Sequence, residues 1–260
     1  MGEAMNPVAE LLGKAREAVV GRAGALGLEL VDKGADPRHA MDLVTEADLE
    51  VDRLVTEGLQ RLYPGVPVVS EEHEAPAAAR EGDCFLLDPI DGTHNYASGL
   101  PFWAISLARM QGSEIREGWL LDGPSGRLYH AKKGGPATLD GRVLTVSARP
   151  PELSLLSLGL SPAIVPLLLR AELFSGMRIL GSHSLGLAHA ASGEVGLHAG
   201  IGHPWDVAAG YLLIEAAGGL IVDFEGRSRD PWDRRQALAG APHIVDLALE
   251  ILQQVEAGLP

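Results

Sequence analysis

Apolar residues recur along this chain with two different periods, and the switches between them mark its elements. After Asn6 and Pro7, a helix start, Val8, Leu11, Leu12, Ala15 and Val19 fall on one face at helical spacing, which predicts a first helix to about Leu26. Thr45-Glu46-Ala47-Asp48 reads as a capping-box variant. It opens a second helix with Val51, Leu54, Val55, Leu59 and Leu62 on its apolar face, ending at Tyr63-Pro64-Gly65. Val66 to Val69 then reads as a short strand, His73 to Asp83 as an exposed loop, and Phe85-Leu86-Leu87 as a short buried strand. From Trp103 to Val146 strands are broken by turn residues, including Gly134-Gly135-Pro136 and the hairpin signal Asp140-Gly141, so an antiparallel meander is expected. Beyond Pro150-Pro151 the two periods alternate. Helices are expected near Ala163 to Phe174, at Ser184 to Ala191, Trp205 to Ala217 and Val245 to Val255, and strands at Met177 to Leu180, Val195 to His198 and Leu220 to Phe224. The pattern predicts a mixed α+β protein: an α+β subdomain over residues 1–149 and an α/β subdomain over 150–260.

Composition narrows the function classes. With 46% apolar and 22% charged residues in 260, this is an ordinary globular composition. Its 21 Lys and Arg against 35 Asp and Glu leave a formal charge of -14, which argues against nucleic-acid or anionic-membrane partners. No run approaches the ~18 apolar residues of a membrane helix, and the N-terminus lacks a signal-peptide pattern, so a cytoplasmic location is expected. The single Cys84 permits no internal disulfide and reads as core packing.

Chemistry concentrates in Asp88-Pro89-Ile90-Asp91-Gly92-Thr93, which sets two carboxylates three residues apart at the end of an apolar run. Acids just past the carboxyl end of a strand sit where open α/β sheets bind ligands, and hard cations prefer such oxygen donors. An Asx-rich surface turn is the alternative for the hexapeptide alone. Further acids stand at element ends: Asp42, Asp48, the pair Glu71-Glu72, and Asp206 after Trp205. Each of these alone is also a plain loop residue or helix cap.

Taken together, Asp42-Leu43-Val44-Thr45 with Asp48, Glu71-Glu72, Asp88 to Thr93, Trp205-Asp206-Val207-Ala208-Ala209-Gly210 and Glu215-Ala216-Ala217-Gly218-Gly219 resemble the inositol monophosphatase family. The blocks occur in the family's order between about residues 40 and 225. The resemblance implies a layered α-β-α-β-α fold, usually a homodimer. It also implies phosphomonoester hydrolysis with two or three Mg²⁺ ions, commonly inhibited by Li⁺. It further implies metal ligation by Glu72, Asp88, the Ile90 carbonyl, Asp91 and Asp206, and metal-activated water oriented by Glu72 and Thr93, with Asp48 supporting Thr93. The amides of Gly92 and Thr93, opening a short helix, would meet the phosphate. His94, Ala199 and His203 are candidate substrate contacts, Ser182, Leu185 and Leu187 line the same pocket, and Lys33 is a candidate to approach the site.

The match departs from the family at specificity. Inositol-selective members carry an acid shortly before the Trp-Asp block, whereas Val195 through Pro204 contains none, with Ala199 or Gly200 in its place. Without that acceptor for ring hydroxyls, tight selectivity is not expected. A small phosphorylated polyol or sugar is the expected substrate, inositol 1-phosphate by default. Fructose 1,6-bisphosphate, 3'-phosphoadenosine 5'-phosphate, histidinol phosphate and NADP remain open as alternatives, as does a non-catalytic binding protein of the same fold.

Overall fold

The computed structural model describes residues 6–24, 30–32, 43–73, 77–153, 155–158 and 174–256. Lys33, Asp42, the last two residues of the expected first helix, Ala25 and Leu26, and most of the helix expected near Ala163 lie outside them. The helices are α1 Pro7–Val19, α2 Glu46–Leu62, α3 Thr93–Ser98, α4 His183–Ala191, α5 Pro204–Ala216 and α6 Pro242–Glu256. The strands run β1 Leu30–Asp32, β2 Leu43–Thr45, β3 Val68–Ser70, β4 Asp83–Asp91, β5 Ala104–Gln111, β6 Glu114–Asp122 and β7 Leu128–Lys132. They continue as β8 Thr138–Leu139, β9 Arg142–Val143, β10 Leu155–Leu158, β11 Gly176–Ile179, β12 Leu197–Gly200, β13 Leu220–Val222 and β14 Ala237–Gly240.

A seven-stranded sheet runs β3-β4-β5-β6-β7-β8-β9, and a five-stranded sheet runs β11-β10-β12-β14-β13. The larger is the expected meander, antiparallel except where β3 lies parallel to β4. Its last turn takes Asp140 to φ 50° and Gly141 to φ 79°, the positive values that a tight hairpin needs. The smaller sheet is mixed, parallel through β11, β10 and β12 and antiparallel through β14 and β13.

Alternation on the strands explains the layers. Phe85 and Leu87 of β4, with Ile105 and Leu107 of β5, pack under Val8 and Leu12 of α1 and Val51, Val55 and Leu59 of α2. The opposite face, with Leu86, Ala108 and Met110, receives Ala208 and Ala209 of α5. Helices α4 and α5 thus lie between the two sheets, and α5 is apolar nearly all round because both its faces are covered. On the far side of the small sheet, Leu197, Ala199 and Leu238 pack with Ile244, Val245, Ala248 and Leu252 of α6. The result is the expected α-β-α-β-α stack.

Two expectations shift. Strand β4 is nine residues rather than three, so Asp88 and Asp91 lie in its final turns of pleat instead of beyond it. Strands β10 and β14 were not legible in the sequence, and the first helix stops at Val19, followed by a 3₁₀ turn over Val20–Arg22.

Candidate metal centre

Strand register brings the acids together. Asp88 pairs with Ser106, but Asp91 pairs with Ala104, so β4 carries one extra residue in a bulge. Three residues of β4 therefore span two of β5, and Asp91 returns to the face that Asp88 occupies. Pro89, which has no N–H to donate, sits within that irregular stretch. Next door, β3 runs in register with Val68, Val69 and Ser70 opposite Phe85, Leu86 and Leu87. The following residue, Glu71, donates its N–H to the Leu87 carbonyl at 3.2 Å and so falls beside Asp88.

That register puts Glu71, rather than the expected Glu72, among the converging acids. Glu71 joins Asp88 and Asp206, with one carboxylate oxygen from each lying within 4.8 Å of the others. Glu72 is one residue further, in the turn, and its charge acts on Asp48. Asp206 arrives from the first turn of α5, where it also accepts 2.8 Å from the His203 N–H. Its cap role and its place in the acidic group coexist. The donor set is carboxylate oxygen throughout, which suits a hard cation. Asp88 Oδ1 is buried with no hydrogen-bond partner among the described residues, as an oxygen reserved for an ion would be.

The electrostatics agree. Burial, and then the charges of Glu71, Asp91, Asp206 and Asp48, hold the Asp88 carboxyl well above its ordinary pKa. Burial and then Asp91 do the same to Asp206, against the opposing His203 hydrogen bond. Without a cation, clustered carboxylates retain protons.

Asp91 stands beside this group, but its oxygens are gripped by the segment Ser182 to Ser184. Oδ2 accepts from Ser182 Oγ at 2.6 Å and from the Ser184 N–H at 2.6 Å, and Oδ1 accepts from the His183 N–H at 3.2 Å. It thereby meets the start of α4, where unpaired amides favour a carboxylate. Ser184 Oγ in turn donates to the Asp206 carbonyl at 3.0 Å. Sequence reasoning placed Ser182 in the pocket but missed His183 and Ser184; nothing local to Ser-His-Ser marks this role.

Asp48 and Thr93 are joined as expected. Asp48 Oδ2 accepts from the Thr45 N–H at 2.9 Å, completing the capping box, and Oδ1 lies 3.0 Å from Thr93 Oγ1. Thr93 Oγ1 is also 3.0 Å from the Ile90 carbonyl, so its one proton chooses between two acceptors. Burial raises the Asp48 pKa to about 6, against the lowering effect of its threonine hydrogen bonds. Gly92 precedes α3 at φ 101°, and a Cβ there would stand 2.7 Å from the Phe102 carbonyl, so this crossing tolerates only glycine.

The expected substrate contacts fare unevenly. His94 is exposed on α3. His203 caps α5 and stacks on Trp205, with ring centroids 4.8 Å apart and planes at 5°. Ala199 is a correction: it is 0% exposed and belongs to the core under α6, because strand alternation turns its side chain away from the acids. Its neighbour His198 points the other way, with Nε2 3.2 Å from His183 Nδ1. Burial lowers the pKa of both imidazoles, more strongly for His198, where His183 adds to the effect.

Among the described residues no helix is long and apolar enough to cross a membrane. The sequence matches the model of the inositol monophosphatase family over residues 5–257. It is 33% identical over 231 residues to an inositol-1-monophosphatase of Rhizobium meliloti, covering 82% of this chain and 84% of that one. It is 34% identical over 203 residues to the Nus factor SuhB of Pseudomonas aeruginosa, covering 73% of this chain and 75% of that one. Among solved structures, the extragenic suppressor protein suhB of Bartonella henselae superposes with a TM-score of 0.87 at 28% identity, over 96% of this chain and 98% of that one.

Proposed function

Because the chain belongs to the inositol monophosphatase family of phosphoric monoester hydrolases, we propose that it hydrolyses small polyol and sugar phosphates in the cytoplasm, using Mg²⁺. Inositol 1-phosphate is the default substrate, and the working form is a homodimer inhibited by Li⁺. The observation that carries this reading is the convergence of Glu71, Asp88 and Asp206 within 4.8 Å beside Asp91.

These residues fit a hard divalent ion, and Glu71, Asp88, Asp91 and Asp206, with the Ile90 carbonyl, would hold it. Bound there, Mg²⁺ supplies positive charge for the phosphate oxygens and acidifies coordinated water. The chain's own residues do the positioning. Thr93 Oγ1, held 3.0 Å from Asp48 Oδ1, would orient the attacking water. The amides of Gly92 and Thr93 would donate to the phosphate, and glycine at position 92 lets the backbone come that close. No acid faces the leaving group from Val195 to Pro204, and the inward side chain of β12 is the neutral His198. Discrimination among alcohols is therefore weak, and several leaving groups are accepted.

Phosphate release from inositol 1-phosphate, glycerol 2-phosphate, fructose 1,6-bisphosphate, NADP and 3'-phosphoadenosine 5'-phosphate, each with Mg²⁺ and with EDTA, tests the reading. Mg²⁺-dependent release from more than one substrate is expected, and Asp91→Asn abolishes it in a protein that stays folded. A preference above about a hundredfold for one monoester would overturn the breadth. No release from any of them would favour a second reading, a regulatory binding protein, for which the 34% identity to a Nus factor is the supporting observation.

A further inference from the structure

The turn that delivers Glu71 to the acidic group is anchored from outside it. The His73 N–H donates to the Ser70 carbonyl at 3.2 Å, and the Glu72 N–H to the Ser70 hydroxyl at 3.3 Å, closing a tight turn at the end of β3. The exposed His73 ring then sets Nδ1 3.2 Å from Oδ2 of Asp52 on α2. Asp52 is only 3% exposed. Its Oδ1 is buried with no hydrogen-bond partner among the described residues. A carboxylate buried for a single contact among the described residues, with a solvent-facing ring, gains little for folding, since desolvation offsets the attraction.

Its position on the helix gives the pair a purpose. Asp52 lies four residues after Asp48, on the same face of α2. Asp48 holds Thr93 after β4, and Asp52 holds His73 after β3. One helix thus steadies both segments that build the site. Glu71 is the exposed member of the acidic group, and the Leu87 carbonyl is the ladder contact just beyond its strand.

We propose that Asp52 is a positioning residue which, through His73, holds the turn that aims Glu71 at Asp88 and Asp206. The inference rests on the metal-dependent reading above and deepens it. A ligand held in place before the ion arrives binds with less ordering cost, so loosening the turn that carries Glu71 lowers metal affinity.

The test is Mn²⁺ binding to the full chain without substrate, followed by the paramagnetic resonance signal of free Mn²⁺, alongside the Mg²⁺ dependence of phosphate release. His73→Ala removes an exposed ring and leaves the core untouched, so it reports even where Asp52→Ala folds poorly. Each variant is expected to bind Mn²⁺ about tenfold more weakly. The double variant should be no weaker than the weaker single, since both remove one contact. Asp52→Asn, which keeps an oxygen beside Nδ1, should recover most of the affinity. The loss in rate should appear in the Mg²⁺ concentration for half-maximal activity rather than in kcat. Wild-type affinity in both single variants, or losses that add in the double, would overturn the proposal. If the unmodified chain binds no Mn²⁺, the metal-dependent reading itself falls and takes the proposal with it. That outcome is distinct from wild-type binding that the variants leave unchanged.

Discussion

Asp88 is surrounded by charges of its own sign, and that is a cost the metal-free protein bears at neutral pH. An acid whose pKa is higher folded than unfolded binds more protons in the native state, so its contribution to stability is complete at low pH and is lost as pH rises. Asp48 puts a scale on the effect. A rise from 3.8 to about 6 corresponds to about 3 kcal/mol lost between pH ~4 and ~6. Asp88 and Asp206 move in the same direction. Asp88→Asn is therefore expected to raise the melting temperature of the metal-free protein. The advantage over wild type should grow as pH rises from about 4 to 7, while Mg²⁺ loses its stabilising effect on the variant. Scanning calorimetry in EDTA across that range checks it, and a pH-independent difference would contradict it. Ala199 makes the opposite point. Placing a glutamate there buries a charge under α6 instead of offering it to substrate, so Ala199→Glu should cost on the order of 3 kcal/mol or more and lower the urea midpoint, without any gain for inositol 1-phosphate.

Elements place these side chains through pairing rather than propensity. The bulge in β4 sets Asp91 on the face of Asp88, and the parallel register of β3 chooses Glu71 over Glu72. Neither is written locally, since both depend on which strand lies alongside. Helical faces were legible because their spacing repeats over several turns, as the buried Val51, Val55 and Leu59 of α2 show. By contrast β10 and β14, Leu155–Leu158 and Ala237–Gly240, are short four-residue stretches with no β-branched residue. Their strand state comes from the partners around them. Gly92 joins β4 to α3 at φ 101° with the Phe102 carbonyl in the place of a Cβ. Gly92→Ala should lose about 1–3 kcal/mol in denaturant titration and most of the phosphatase rate, because strain there moves Thr93. Wild-type stability and rate in that variant would show the crossing to be loose.

At the scale of the molecule, the acidic group joins the edge of the larger sheet to a helix sandwiched between the sheets. The chain carries a formal charge of -14, and several of its carboxylates converge at one point. A cation that binds only the folded form stabilises it by mass action. Millimolar Mg²⁺ should raise the melting temperature reversibly, and identical curves in Mg²⁺ and EDTA would speak against a competent centre. Residue order alone was enough to place the chain in its family and to mark the acidic blocks. Block identity, apolar period and turn chemistry are properties of short stretches, and they survive without knowledge of neighbours. Other features depended on segments far apart in the chain: the choice of Glu71 from an adjacent pair, the inward turn of His198 in place of Ala199, and the grip of Ser182, His183 and Ser184 on Asp91. A shift of one residue in strand pairing reverses which face a side chain occupies, and such a shift is invisible until the partner strand is in place.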